Sequence, residues 1–350
     1  MINDVADGNE KNIPKSNSVL LDCTLRDGGF QTNWKFSDDL LGNLIPACAA
    51  AHADIVEIGY APAGEAGPES PLLQAVKVLK SGILPNSPRF AVMVDVKNYI
   101  GKTNRLFAET IASLATLPVP ISCVRLALTA HADERMIDMT LDFARQIQAA
   151  NWEVCINLMQ IDNLPHDGRR ILIDALKSSG PNAVIYLADS FGTMRPGDVE
   201  RSIEYFRQNL PNPIGFHAHN NLGLATVNAY AAMRAGASWI DGTFDGIGRG
   251  AGNAATELLM HFTGHTCDIE TVSDFVADHV NPLRKHLRWG PSPIYAACAD
   301  GGVHPSYGQR LEADTSLDQA ERLTIIAELA RESATNFDAT RLQEKKRKLA

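Results

Sequence analysis

The sequence contains no apolar run near the roughly 18 residues that a membrane-spanning helix needs. Its polar opening, Met1 to Ser18, has no apolar core of signal-peptide length. These absences lead to the expectation of a cytoplasmic protein. Positive charge is also scarce: 32 Lys and Arg against 41 Asp and Glu leave a formal net charge of -9, the wrong sign for a surface that concentrates nucleic acid. The one strongly basic cluster, Lys345-Lys346-Arg347-Lys348, reads as a solvated tail. The six cysteines (Cys23, Cys48, Cys123, Cys155, Cys267, Cys298) show no CxxC spacing, and four lie in or beside apolar runs, where a reduced thiol behaves as a small hydrophobe. GxGxxG is missing too. Leu25-Arg26-Asp27-Gly28-Gly29-Phe30 stands where an open doubly wound sheet would carry it.

What is present is repetition. Short runs rich in β-branched residues recur about every 30 residues, each followed by a stretch with helical spacing. Eight strands are expected, at 18–25, 54–60, 89–96, 121–128, 152–159, 183–189, 214–219 and 239–244. Helical patterns fall at 38–51, 104–115, 134–150, 168–178, 196–208 and 224–235. With 350 residues, the chain has room for the about 250 that a barrel of such units uses. The expected fold class is therefore α/β, a (β/α)8 TIM barrel over 18–288 with a small C-terminal helical appendage over 289–350 and a disordered arm over 1–17. In the appendage, a Gly- and Pro-containing stretch at 289–307 precedes amphipathic patterns at 317–332 and 340–349.

A barrel of this kind places its chemistry at the C-terminal ends of its strands. Several expected strands carry polar groups there: Arg26-Asp27, Glu57, Arg125, Asn157, Asp189-Ser190, and His217-Ala218-His219. Residues two apart on a strand share a face, so His217 and His219 can offer two imidazoles to one ion. With a carboxylate they make a mixed N/O site suited to Mn²⁺, Co²⁺, Mg²⁺ or Zn²⁺. By residue type alone, the histidines equally suit ordinary hydrogen bonds, and Arg26-Asp27 a buried ion pair. After the eighth strand, Gly246-Ile247-Gly248-Arg249-Gly250-Ala251-Gly252-Asn253 has four glycines over seven positions, suiting a plain turn or a backbone laid close against a ligand.

Three separated segments, Asp22-Cys23-Thr24-Leu25-Arg26-Asp27-Gly28-Gly29, Phe216-His217-Ala218-His219-Asn220-Asn221-Leu222-Gly223 and Gly246 to Asn253, together resemble the DRE-TIM metallolyase superfamily. The HMG-CoA lyase-like proteins belong to it, and the nearest branch is that of 4-hydroxy-2-oxovalerate aldolase and other pyruvate aldolases. The likeness runs over about 18–262. It implies a divalent metal, Mn²⁺ favoured, held by Asp27, His217 and His219, with Asn253 as a fourth ligand or a supporting group. It also implies that Arg26 meets the charge developing on a 2-oxo acid's ketone oxygen. Glu57, Asp189 and Ser190 match polar positions of the family and would orient substrate, Arg26 or the histidines. Tyr295 falls where the aldolases carry a site tyrosine.

One position departs from the pattern. The aldolase branch has a basic histidine three residues after the metal-binding Asp, and here that residue is Phe30. The base would then be Tyr295, His304, His131 or a water on the metal, or the reaction differs. The leading reading is a lyase acting beside a 2-oxo acid. Two others stay open: a Claisen-type acyl-CoA synthase or 3-hydroxyacyl-CoA lyase of the same superfamily, and a non-catalytic metal-binding scaffold. Against the synthases stands Gly28-Gly29-Phe30 in place of their Gly-Glu-Gln. The aldolase resemblance further implies an acylating aldehyde dehydrogenase partner on the tail, whose apolar residues Leu317, Ala320, Leu323, Ile326, Leu329 and Phe337 have helical spacing. By residue type that stripe equally covers the barrel or forms a homodimer seam, and a homo-oligomer is expected.

Overall fold

A computed structural model describes residues 18–349 except 68, 84–86 and 180–181. The expected arm at 1–17 lies outside the described residues. Eight strands, β1 (Val19–Asp22), β2 (Ile55–Tyr60), β3 (Arg89–Asp95), β4 (Ile121–Thr129), β5 (Glu153–Met159), β6 (Val184–Asp189), β7 (Ile214–Ala218) and β8 (Trp239–Gly242), close in sequence order into a barrel. Closure is parallel, from Val19 opposite Trp239 to Asp22 opposite Gly242. The chain is thus a (β/α)8 TIM barrel with C-terminal helices. Among the described residues, no helix is long and apolar enough to cross a membrane.

The period-two alternation of each strand divides its side chains between two environments. Outward-facing Val56, Val92, Val124, Ile156 and Leu187 join the core shared with the surrounding helices. Inward-facing Leu21, Ile55, Ala91, Cys123, Cys155, Tyr186 and Trp239 make a second apolar cluster. Each such fully buried Ile or Leu contributes roughly 1.5–3 kcal/mol, enough to support a layer of buried charge on the same inner faces. Glu57, Arg125 and Asp241 form that layer, each at most 1% exposed. Gly215 on β7 is needed here, because a Cβ would come within 2.6 Å of the Tyr186 ring.

The first strand is shorter than the apolar run suggests. It ends at Asp22, and Thr24–Thr32 is helical. The Asp22 carboxylate accepts from the Thr24 amide at 3.0 Å and the Thr24 hydroxyl at 3.1 Å, stopping the strand. Gly28 and Gly29 are tolerated inside the helix because neighbours occupy the Cβ positions: a methyl on Gly29 would lie 2.1 Å from the Trp34 indole. Arg26 and Asp27 therefore project from a helix, not a strand end. The seventh strand stops at Ala218, and His219 instead forms an isolated bridge with Asn253.

Two helices, Pro293–Asp300 and Pro305–Glu312, begin within the Gly- and Pro-containing stretch at 289–307. Each begins with Pro in its first turn, where the missing N–H costs nothing, and Ser292 caps the first by accepting from the Tyr295 amide. With Gln319–Arg331 and Ala339–Leu349 they bury Ile294, Val303, Tyr307, Leu311, Ile326 and Leu329 in a core of their own. The basic run is not a freely solvated tail. Lys345 is 6% exposed and ion-paired with Glu328 and Glu332, and Lys346 pairs with Asp314.

Beyond β8, the Asp245 amide donates to both oxygens of Glu257, at 3.2 and 3.0 Å. Burial pushes the Glu257 carboxyl from 4.5 up to about 7. Below the lower value, folded and unfolded chains both carry the proton. As pH rises, the unfolded chain loses it first and stability falls, reaching a full cost of at most about 3 kcal/mol above the higher value. Glu257→Gln keeps an acceptor without the charge. It is expected to raise the melting temperature by a few degrees at about pH 8 and leave it unchanged near pH 4; equal changes at both would contradict this origin.

Candidate active site at the barrel mouth

Six side chains from five elements close into a ring of buried charge. Arg26 donates to Glu57 through Nε at 2.7 Å and to Asp27 through Nη1 at 2.9 Å. Arg125 joins the same Glu57 oxygen at 2.9 Å to Asp241 at 2.6 Å. Asp241 meets His217 Nδ1 at 2.9 Å, and His217 Nε2 lies 3.4 Å from Asp27 Oδ2. With His217 neutral, three carboxylates face two guanidiniums, leaving one negative charge in a site walled by apolar strands. Such a site favours an added cation.

The protonation states follow from the same contacts. Burial opposes ionisation of Asp27, but the Arg26 guanidinium overcomes it and holds the carboxyl well below its usual range. Asp241 is lowered likewise by Arg125 against burial. Burial works against a charged His217, yet its bond to Asp241 and the nearby Asp27 carboxylate lift its pKa. His219 goes the other way: burial, then the neighbouring His217, lowers it to about 3, so it is the neutral imidazole that ligation requires.

Orphaned buried acceptors and imidazoles in this donor set are of the type a metal ion takes, and Asp27 and His217 lie in a compact group. Asp27 Oδ2 and Asn253 Oδ1 are buried without a hydrogen-bond partner. The Asn253 amide is oriented by its Nδ2, which donates to the Ile247 carbonyl at 3.0 Å. His219 Nδ1 is engaged by the Asp189 carbonyl at 2.9 Å, which leaves Nε2 as the atom that could meet an ion, and its ring lies 4.9 Å from that of His217. Cys23 also falls in a compact group with Asp27 and His217. Its thiol bonds to the Gly242 carbonyl at 3.4 Å, and burial pushes its pKa well above 9.0; a thiol held protonated is a poor ligand.

A cavity of about 540 Å³ opens above the ring, lined by Arg26, Asp27, His217, His219, Asn157, Ser190 and Arg249 among others. Ser190 accepts from the Gln160 amide at 2.8 Å. Glu57 lies beneath, bridging the two arginines. Asp189 points its carboxylate away, to the amides of Thr193 and Met194, and offers the site its backbone carbonyl. Tyr295 does not line the cavity; it packs behind the loop, where a Cβ on Gly250 would come within 3.0 Å of its ring. His131 and His304 are also absent from the lining. Phe30 does line it, with Trp34 at 4.9 Å and Tyr60 at 6.1 Å between ring centroids and the Arg249 guanidinium 5.5 Å above its ring. Sequence reasoning missed Asp241, the group that orients His217. Its signal was a carboxylate inside the otherwise apolar 239–244 run.

The HMGL-like family model matches residues 17–275. The 4-hydroxy-2-oxovalerate aldolase of Spirochaeta aurantia is 30% identical over 253 residues, covering 69% of this chain and 68% of that protein. The oxaloacetate decarboxylase of Mycobacterium tuberculosis is 28% identical over 255 residues, with coverage of 69% and 68%. The crystal structure of the N-terminal domain of a putative aldolase from Bacteroides vulgatus matches with a TM-score of 0.69 at 25% identity, over 85% of this chain and 97% of that one. Barrel and family model agree: the chain belongs to the HMGL-like family of the DRE-TIM superfamily and is a lyase.

Proposed function

We propose that this protein is a divalent-metal-dependent aldolase that cleaves or forms the C3–C4 bond of a 4-hydroxy-2-oxo acid, with pyruvate as the 2-oxo acid product. The observation that carries this reading is the meeting, at one barrel mouth, of ionised Asp27, neutral His219 and the Arg26 guanidinium. Asp27, His217, His219 and Asn253 would hold the cation, with Mn²⁺ favoured by the resemblance and Mg²⁺, Co²⁺ or Zn²⁺ also suited to a mixed N/O set. Bound there, it supplies an electrophile for the substrate's ketone oxygen.

In the cleavage direction the 4-hydroxyl gives up its proton, the C3–C4 bond breaks and C4 becomes an aldehyde carbonyl. The electron pair moves through C3 and C2 to the ketone oxygen, and C3 then takes a proton to complete pyruvate. Arg26 lines the cavity, and bonding to Glu57 and Asp27 engages its Nε and Nη1. Its Nη2 edge is left to meet that oxygen as charge builds, an interaction stronger in the transition state than in the bound substrate. Glu57 orients Arg26, Asp241 orients His217, Ser190 and Asn157 border the 2-oxo acid, and Tyr295 supports the Gly250 turn. Arg26→Lys keeps the charge but loses the planar fork. It is expected to lower kcat by about 100-fold while KM moves less than about 3-fold; a change confined to KM would make Arg26 a binding residue only.

A second reading rests on Phe30. Where the resemblance implies a base, the cavity wall has three aromatic rings, Phe30, Trp34 and Tyr60. Burial lifts the Tyr60 phenol to about 12, so it is a weak proton acceptor near neutrality. Decarboxylation of a 2-oxo acid bearing a carboxylate on C3 puts the same charge on the ketone oxygen and removes no hydroxyl proton. The Mycobacterium relative named for oxaloacetate decarboxylation supports this alternative.

The reading extends to a cytoplasmic homo-oligomer. Since aldol cleavage releases a reactive aldehyde, it also includes an acylating aldehyde dehydrogenase docked on the C-terminal helices. There Ile326 and Leu329 are buried within the chain, while Ala320 and Leu323 stay exposed.

A further inference from the structure

The cavity is larger and less polar than a pyruvate unit requires. Its volume, about 540 Å³, lies within the roughly 300–1,000 Å³ that accommodates a drug-sized ligand. Its polar groups are unevenly placed, although Tyr60, Ser70 and Asn98 also line the more apolar side. Asn157, Ser190, His217, His219 and Arg249 come from β5 to β8 and their loops, on one side of the mouth. Across from them, β2, β3, the helix Pro71–Leu79 and the turn after the first helix contribute Trp34, Phe36, Ile58, Pro62, Leu72 and Met93. The charged groups lining that side, Asp95 and Lys97, neutralise each other through an ion pair of 2.7 Å. The Arg249 guanidinium lies over the Phe30 ring at 5.5 Å, but an anionic substituent seated among Trp34, Phe36 and Leu72 would be surrounded by apolar side chains. An apolar one would find a wall of rings and aliphatic side chains.

Resting on the aldolase reading, we infer that the part of the substrate beyond C3 is a bulky uncharged apolar group, aromatic or branched, and that the Trp34–Phe36–Leu72 lobe selects it. The 2-oxo acid end sits against Arg26 and the histidines, and the C4 substituent points across the mouth into the lobe. The released co-product is then a hydrophobic aldehyde, not acetaldehyde or a carboxylate-bearing one. Phe30 fits the same scheme. Its ring, packed edge-on to Trp34 and Tyr60, joins the floor of the donor site to the apolar wall.

Two measurements on the metal-loaded protein test the inference. The first is kcat/KM for pyruvate release from 4-hydroxy-2-oxo acids carrying phenyl, methyl or carboxylate at C4, with oxaloacetate alongside. The phenyl compound is expected to lead the others by at least about 10-fold, the discrimination an apolar pocket gives for added apolar bulk. Trp34→Ala should shrink the phenyl-to-methyl ratio to within about 3-fold, and Phe36→Ala serves as the second variant if Trp34→Ala does not fold. The second is calorimetric binding of two non-cleavable analogues, 4-phenyl-2-oxobutanoate and 2-oxopentanoate, with the phenyl compound expected to bind at least about 10-fold tighter. Preference for the methyl or carboxylate compound, or for oxaloacetate, overturns the inference, as does equal binding of the two analogues. Tighter binding of the phenyl analogue with no pyruvate released from any hydroxy acid supports the lobe and overturns the aldolase reading instead.

Discussion

His219→Ala is expected to yield a folded barrel that has lost both its metal and its turnover. The residue stands outside the charge ring, and its Nδ1 bonds only to the Asp189 carbonyl, at 2.9 Å, which also accepts from the Gly192 amide at 3.1 Å, so truncation strands neither a backbone acceptor nor a buried charge. The loss of metal affinity should exceed the roughly 10–100-fold that removing an outer hydrogen-bond partner costs, because a direct donor is gone. Elemental analysis after dialysis, a melting curve and kcat decide the matter together. Stoichiometric metal with unchanged kcat would remove His219 from the donor set. His217→Ala is a poorer test, since it also unpairs Asp241 and Asp27.

Arg125→Met should instead unfold the protein more readily. Arg125 is 0% exposed, is bonded to both Glu57 and Asp241, and has its guanidinium 4.4 Å from the Tyr186 ring centroid. Removing it leaves Glu57 with Arg26 alone and Asp241 with His217 alone, two buried carboxylates short of a shared cation, a loss of about 3–5 kcal/mol. Denaturant unfolding measures it directly. Adding Glu57→Gln and Asp241→Asn to the same variant should recover much of the stability, because the cost lies in the stranded charges. A single-variant loss below about 1 kcal/mol would mean that the ring is solvated and contributes little.

The barrel was legible because strands covered on both faces must be apolar throughout, and runs such as Val124 to Leu128 are interrupted by little else. The interruptions were the site. Glu57, Arg125, Asn157 and His217 each break an apolar strand, and each lies on an inner face above the apolar cluster. The same logic applied to Asp241 would have revealed the partner of His217. The first motif was harder. Leu25 prolongs the apolar run, and only the Asp22 side chain, acting on the Thr24 amide, ends the strand early; that contact has no periodicity to announce it. The C-terminal helices were partly hidden for a related reason: Pro293 and Pro305 read as breakers, whereas both open helices. The shape of the mouth was not legible at all, because it depends on a turn, a helix and a strand bringing Trp34, Leu72 and Met93 together from distant parts of the chain.

The central claim is that this mouth, when it holds a divalent cation, stabilises negative charge on the ketone oxygen of a 2-oxo acid. Exchange of the methyl protons of pyruvate for deuterium, followed by proton NMR, reports that step without any aldehyde or carboxylate leaving group. The account predicts enzyme-catalysed exchange in the presence of Mn²⁺ or Mg²⁺, its loss on chelation and its return when the cation is restored. Exchange at the same rate in the chelated protein, or none at all in protein shown to carry one cation per chain, would contradict it.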